Sequence, residues 1–204
     1  MNKDGNSSLA NVLSLSRPLL GAAVFVFLVP SAREAAFVLP LVLAACFSDW
    51  LDGTVARRGG GETLRGRVID NLCDFTFLLL VFAALARAEV WSPPVWGRFV
   101  RHWAEANWLP VLALLASFGS YALRAGLDIA AGREPRRSAR GHAAGLANYA
   151  LVVAGAVELW PGIDLGPWLL EPAFVSVAFL NFFAVGENVV LMFHREGNGP
   201  RMPG

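Results

Sequence analysis

Six apolar segments, at roughly 19–32, 35–52, 68–86, 107–124, 143–160 and 172–193, alternate with gaps that hold most of the charge of this 204-residue chain. A helix needs about 20 residues to cross the hydrocarbon core of a bilayer. Each segment reaches that length once a few polar residues at one end are included. The rival reading is a soluble all-α protein with buried helices, but runs such as 108–123 and 146–157 have no polar face to turn to water. Composition agrees with the membrane. The chain is 55% hydrophobic and 16% charged, with a mean hydropathy of +0.50, where a soluble domain carries about 25% charged residues. A disordered or collagen-like chain is excluded. The expected fold is an all-α integral membrane protein with six transmembrane helices plus a short N-terminal interfacial amphipathic helix.

The cations orient it. Seventeen Lys and Arg against sixteen Asp and Glu give +1, so no global basic field points to nucleic acid. Lys3, Arg17, the second and fourth gaps, Arg124 and the C-terminus place thirteen cations on one side of six spans, and Arg33, Arg87, Arg98 and Arg101 place four on the other. The richer side is expected to be cytoplasmic, with both termini there, in a bacterial-type inner or plasma membrane. Six of the seven tryptophans fall near the sparsely charged ends, as an interfacial belt would. Arg17, the apolar run 19–29 and small residues at Ser31 and Ala32 could mimic a cleavable leader. The sixteen residues before Arg17 fit better as part of a helix lying on the membrane over 7–17, with Leu9, Val12, Leu13 and Leu15 toward lipid. One membrane domain over 1–196 and a disordered tail over 197–204 follow. Cys46 and Cys73 both lie in apolar runs and support neither a disulfide framework nor a zinc site.

The second and third segments hold four carboxylates, Asp49, Asp52, Asp70 and Asp74. Spacings of three and four put each pair on one helix face. The topology brings both pairs to the cytoplasmic ends of two antiparallel neighbours. Ionisable groups at the edge of a low-dielectric slab are costly and mark function by default. Hard oxygen ligands on facing helices suit Mg2+, Mn2+ or Ca2+, and four of them could hold two ions, as in phosphoryl transfer. The plain alternative makes each Asp a helix-end cap or an Arg partner. It explains one aspartate more readily than four.

The residues between the pairs narrow the chemistry. Asp49, Asp52, Gly53, Ala56, Arg57, Gly66, Asp70 and Asp74 follow the pattern D-x2-D-G-x2-A-R-x8-G-x3-D-x3-D. This resembles the signature of the CDP-alcohol phosphotransferases (CDP-alcohol phosphatidyltransferases), with every specified position and gap matched. Asn11, Leu13, Ser14 and Arg17 also resemble that family's N-terminal stretch of Asn, Leu, Thr or Ser, then Arg. The resemblance implies that Asp49, Asp52, Asp70 and Asp74 bind two divalent ions, Mg2+ or Mn2+. It implies that Gly53, Ala56, Arg57 and Gly66 line the CDP site, that Asp74 is also the general base, and that the protein is a homodimer. The spacers suit a nucleotide: glycine lets a base or phosphate approach backbone, and Arg57 can grip phosphate with two hydrogen bonds. Close helix packing is the alternative for both glycines.

The implied reaction transfers a substituted phosphoryl group from a CDP-alcohol, with CDP-diacylglycerol as the expected donor, to a polar alcohol such as glycerol phosphate or inositol phosphate. Asp74 takes the acceptor's proton, and CMP leaves. A route through an Asp phosphoester is the alternative. Arg124, Arg137, Arg140, His142 and Arg195 are the candidate cradle for the acceptor's phosphate; attraction to anionic lipid headgroups is the alternative for any one of these cations. Ser138, Arg140 and Gly141 resemble a stretch of family members that use glycerol phosphate, but His142 stands where those carry Lys. Asn148, Asn181, Glu187 and Asn188 are the other polar residues inside the apolar segments. Two rival functions remain: a cation transporter using membrane carboxylates, which would call for two related halves with broken helices, and a non-catalytic membrane scaffold.

Overall fold

Among the described residues, helix α1 (Lys3–Phe27) packs against α2 (Val38–Arg58) and α3 (Leu64–Arg87), which run antiparallel on either side of it, and α4 (Leu109–Ala130), α5 (Ala139–Glu158) and α6 (Pro167–Phe193) follow. The computed structural model describes residues 3–28, 35–58, 64–91, 107–133, 135 and 138–193, with side chains from Val12 onward except at 55–58, 64–65 and 167. Among them there is no β-strand. The expected tail at 197–204 and the leader-like junction around Ser31 and Ala32 lie outside the described residues.

The chain is an all-α membrane protein. Within α3, α4 and α6, Gly66–Arg87, Leu109–Ala130 and Trp168–Phe193 are long and apolar enough to cross a bilayer, and α1 carries a shorter apolar stretch, Val12–Phe27. Polarity is distributed as lipid demands. Leu19, Leu146, Trp168 and Phe193 are 70% or more exposed, whereas Arg17, Arg124, Asn148, Asn181 and Asn188 are buried. Large apolar side chains face outward and polar ones inward because hydrocarbon outside solvates the former and only protein inside can satisfy the latter.

The N-terminal stretch expected to lie on the membrane is not a separate element. It runs unbroken into the first apolar segment as α1, with Pro18 inside the helix. Proline at 18 removes the backbone donor that would meet the Ser14 carbonyl and crowds the preceding turn. The Leu13 carbonyl accepts from Ser16 Oγ at 2.6 Å and from Ser48 Oγ of α2 at 2.9 Å. Val12 and Leu15 face outward as expected, at 62% and 55% exposure.

Packing locks the helices that carry the carboxylates. Helix α1 lies against α2 and α3, α6 lies against α4 and α5, and α5 touches both α2 and α3. At the α1–α3 crossing a Cβ on Gly21 would lie 3.2 Å from the Cα and carbonyl oxygen of Phe77, so glycine permits near-contact of two backbones. Val24, Leu28, Val42, Phe77, Val81 and Phe82 fill the core there. At the far end Arg87 donates to the carbonyls of Phe25 and Leu28 at 2.9 and 2.8 Å, closing the C-terminus of α1. Asn148 and Asn181 exchange hydrogen bonds between α5 and α6, at 2.8 and 3.3 Å.

Two boundaries differ from the sequence reading. Helix α4 continues past Arg124 to Ala130, so Arg124 belongs to a helix and is buried, not part of a charged gap. Helix α5 starts at Ala139 because Ser138 is its N-cap, accepting from Gly141 N at 2.8 Å. Arg140 and His142 therefore sit on its first turn.

Candidate active site

Helices α1, α2, α3 and α5 bring four carboxylates around one guanidinium. Arg17 is fully buried; its Nη1 donates to Asp49 Oδ1 at 3.0 Å and to Asp74 Oδ1, and its Nη2 to Asp52 Oδ2 at 3.1 Å and to Asp70 Oδ1. The chain folds this way locally because the three- and four-residue spacings turn each Asp pair inward, while the turn before Pro18 aims Arg17 between them. Ser14 Oγ hydrogen-bonds Asp52 and lies 3.3 Å from Asp70 Oδ1. Tyr149 of α5 donates to Asp74 Oδ1 at 2.6 Å. The carboxylates open unequally: the Asp49 side chain is 47% exposed and that of Asp52 only 10%.

Four carboxylates against one guanidinium leave a formal excess of three negative charges. Buried charge without a partner is strongly destabilising, so the arrangement calls for further positive charge. Ligand oxygens of Asp49, Asp70 and Asp74 lie within 4.8 Å of one another, a group that could hold a metal ion. All donors are hard oxygens, which suit Mg2+ or Mn2+ rather than a thiolate-seeking metal. Donor chemistry and charge both fit a divalent cation. Asp52 stands beside this group, its Oδ2 engaged by Ser14 and Arg17.

The other expected site residues fall in several places. Gly53 lies on α2 and Gly66 on the first turn of α3, both half-buried, at the same end of the bundle as the carboxylates. Ala56 and Arg57 are on the last turns of α2, and their side chains lie outside those described. Arg124 is buried on α4, its guanidinium 5.8 Å from the ring centroid of Tyr121. The Tyr121 hydroxyl accepts from Asn71 Nδ2 at 3.0 Å, and Asn71 is the neighbour of Asp70 on α3. A short chain of contacts therefore links Arg124 to the helix of the carboxylates. Arg140 and His142 are exposed, and among the described residues neither makes a hydrogen bond or ion pair with Asp49, Asp52, Asp70 or Asp74. Arg137 and Arg195 lie outside the described residues. Glu187 accepts from Ser138 Oγ and from the backbone N–H of Arg140.

Sequence reasoning did not single out three site residues. Arg17 was noted within a supporting stretch, but not as the centre of the cluster. Ser14 belongs to the same stretch. Tyr149 carries no motif; its one signal is that the chain has only two tyrosines, both inside apolar segments.

Comparison with known proteins bears on the same residues. The profile of the CDP-alcohol phosphatidyltransferase family matches residues 7–187. The chain is 34% identical over 88 residues to a CDP-diacylglycerol–glycerol-3-phosphate 3-phosphatidyltransferase of Aquifex aeolicus, covering 42% of this chain and 48% of that protein. It is 27% identical over 117 residues to a cardiolipin synthase (CMP-forming) of Streptomyces coelicolor, covering 55% of this chain and 53% of that protein. The chain thus spans about half the length of these curated relatives.

Proposed function

The chain belongs to the CDP-alcohol phosphatidyltransferase family, and from that membership we propose that it is a divalent-metal-dependent enzyme of phospholipid synthesis. It transfers phosphatidyl from CDP-diacylglycerol to a polar alcohol and releases CMP. The observation that carries this reading is the convergence of Asp49, Asp52, Asp70 and Asp74 from two antiparallel helices on one point. The activity of the Aquifex aeolicus relative supports CDP-diacylglycerol as donor and glycerol phosphate as acceptor, and that of the Streptomyces coelicolor relative supports release of CMP.

In this reading Asp49, Asp70 and Asp74, with Asp52 beside them, hold two ions, Mg2+ or Mn2+. Bound there, the ions neutralise diphosphate oxygens and the charge that develops on the leaving group. Gly53 and Gly66 leave room for the nucleotide, Ala56 is small for the same purpose, and Arg57 grips a phosphate. Asp74 accepts the proton of the acceptor hydroxyl while that oxygen bonds to phosphorus and the bond to CMP breaks. Arg124, together with Arg137, Arg140, His142 and Arg195, receives the acceptor's phosphate. The working unit is a homodimer of one membrane domain over 1–196, with both termini and the site on the cytoplasmic side.

The test is CMP release from CDP-diacylglycerol in detergent with Mg2+ or Mn2+ against a panel of polar alcohols. Metal-dependent release that rises with one acceptor and vanishes in Asp74→Asn, with the fold intact, is the expected result. A folded wild-type protein that releases no CMP with any acceptor overturns the reading. A cation transporter would instead move ions across vesicles without CMP release.

A further inference from the structure

We propose that Tyr149 is a positioning residue for Asp74, tying up Oδ1 so that Oδ2 is the oxygen offered to the reacting hydroxyl. The inference rests on the proposed reaction. A carboxylate oxygen has two lone pairs. On Asp74 Oδ1 both are used: one accepts from Tyr149 Oη at 2.6 Å and the other from Arg17 Nη1. Among the described residues no hydrogen bond falls on Oδ2. The acceptor's proton therefore has one oxygen of Asp74 to go to, Oδ2, whose second lone pair is left for a metal ion. As it arrives, the acceptor oxygen bonds to phosphorus and the phosphorus–oxygen bond to CMP breaks, its electron pair leaving with CMP.

The hydroxyl is held firmly enough for this task. The Tyr149 ring stacks on Phe77 of the same helix as Asp74, with centroids 5.8 Å apart and planes at 21°. Its neighbour Asn148 is fixed by the exchange with Asn181 of α6. Donor and acceptor thus sit on α5 and α3, braced from a third helix. Rigid support of this kind keeps a catalytic group close to productive geometry.

Tyr149→Phe removes the hydroxyl and keeps the ring against Phe77. The expected result is a fall in kcat of about tenfold or more, with KM for CDP-diacylglycerol and the number of Mn2+ ions bound, counted by electron paramagnetic resonance, unchanged. A kcat within about twofold of wild type overturns the proposal, since general-base catalysis as a whole contributes about a hundredfold or more. Loss of Mn2+ together with kcat also overturns it, because Tyr149 would then hold the metal cage and not the base. A second measurement does not depend on that variant folding. The chain has two tyrosines, so protein labelled with 3-fluorotyrosine gives two fluorine resonances. Asp74→Asn is expected to shift one of them and leave the other in place; two unmoved resonances overturn the contact. Wild-type protein that releases no CMP sinks the proposed reaction, whereas active wild type with an equally active Tyr149→Phe sinks the positioning role alone.

Discussion

Glu187 on α6 caps the start of α5 through Ser138: its Oε2 accepts from Ser138 Oγ at 2.5 Å and from Arg140 N at 3.1 Å, while Ser138 Oγ accepts from Gly141 N at 2.8 Å. In an ordinary capping box the acidic partner sits three residues along the same helix. Here it comes from another helix, so the cap also ties α5 to α6. Glu187→Ala is expected to cost about 1.5–3 kcal/mol, the range for hydrogen bonds to a charged group. Thermal unfolding in detergent reads this as a lowered Tm, with Glu187→Gln falling between.

Arg17 is the one positive charge that the described residues place among the four aspartates. Arg17→Gln leaves the carboxylates facing one another. In chelator it is expected to destabilise the protein by about 3–5 kcal/mol, the cost of breaking a buried pair. Adding Mn2+ should raise the Tm of this variant by more than that of wild type, since the added cation relieves a larger repulsion. An unchanged Tm in chelator would count against Arg17 as the structural counter-ion.

Gly155 and Gly145 give a matched pair on one helix. A Cβ on Gly155 would lie 2.6 Å from Cη2 of Trp91 and 2.9 Å from Cδ1 of Leu85, whereas one on Gly145 would meet nothing within 4 Å. Gly155→Ala should lower stability by about 1–3 kcal/mol through overpacking. Gly145→Ala should be neutral or stabilising by about 0.4–1 kcal/mol through the unfolded chain. Parallel melting curves of the two variants check both.

The exchange between Asn148 and Asn181 predicts a double-mutant pattern. Either residue alone changed to Leu leaves its partner short of a hydrogen bond in an apolar surrounding, at about 1–2 kcal/mol. The pair Asn148→Leu with Asn181→Leu should recover part of that loss, because no orphaned amide remains. Additive losses in the cycle would show that the two amides do not depend on each other.

The helices and the carboxylates were legible because both rest on one-dimensional regularities. Apolar runs long enough for a bilayer mark spans, and spacings of three and four put Asp49 with Asp52, and Asp70 with Asp74, on common faces. The ends of the helices were less legible. The fourth apolar segment was ended at Arg124 because a charge in an apolar run reads as its end, whereas α4 runs on to Ala130 with Arg124 buried. The stretch over 7–17 was read apart from the first span, whereas in the structure it continues through Arg17 and Pro18 as one helix.

By itself the sequence determined an all-helical membrane chain and the two aspartate pairs, since hydrophobic length and helical period need no knowledge of what lies across the bundle. Which side chains meet those pairs was decided by tertiary structure alone. Arg17 stands 32 residues before Asp49 and 57 before Asp74, and Tyr149 stands 75 after Asp74. Contacts over such separations depend on how helices cross and rotate, and that is set by close approaches such as Gly21 on Phe77 and by the demand of buried charge for a partner.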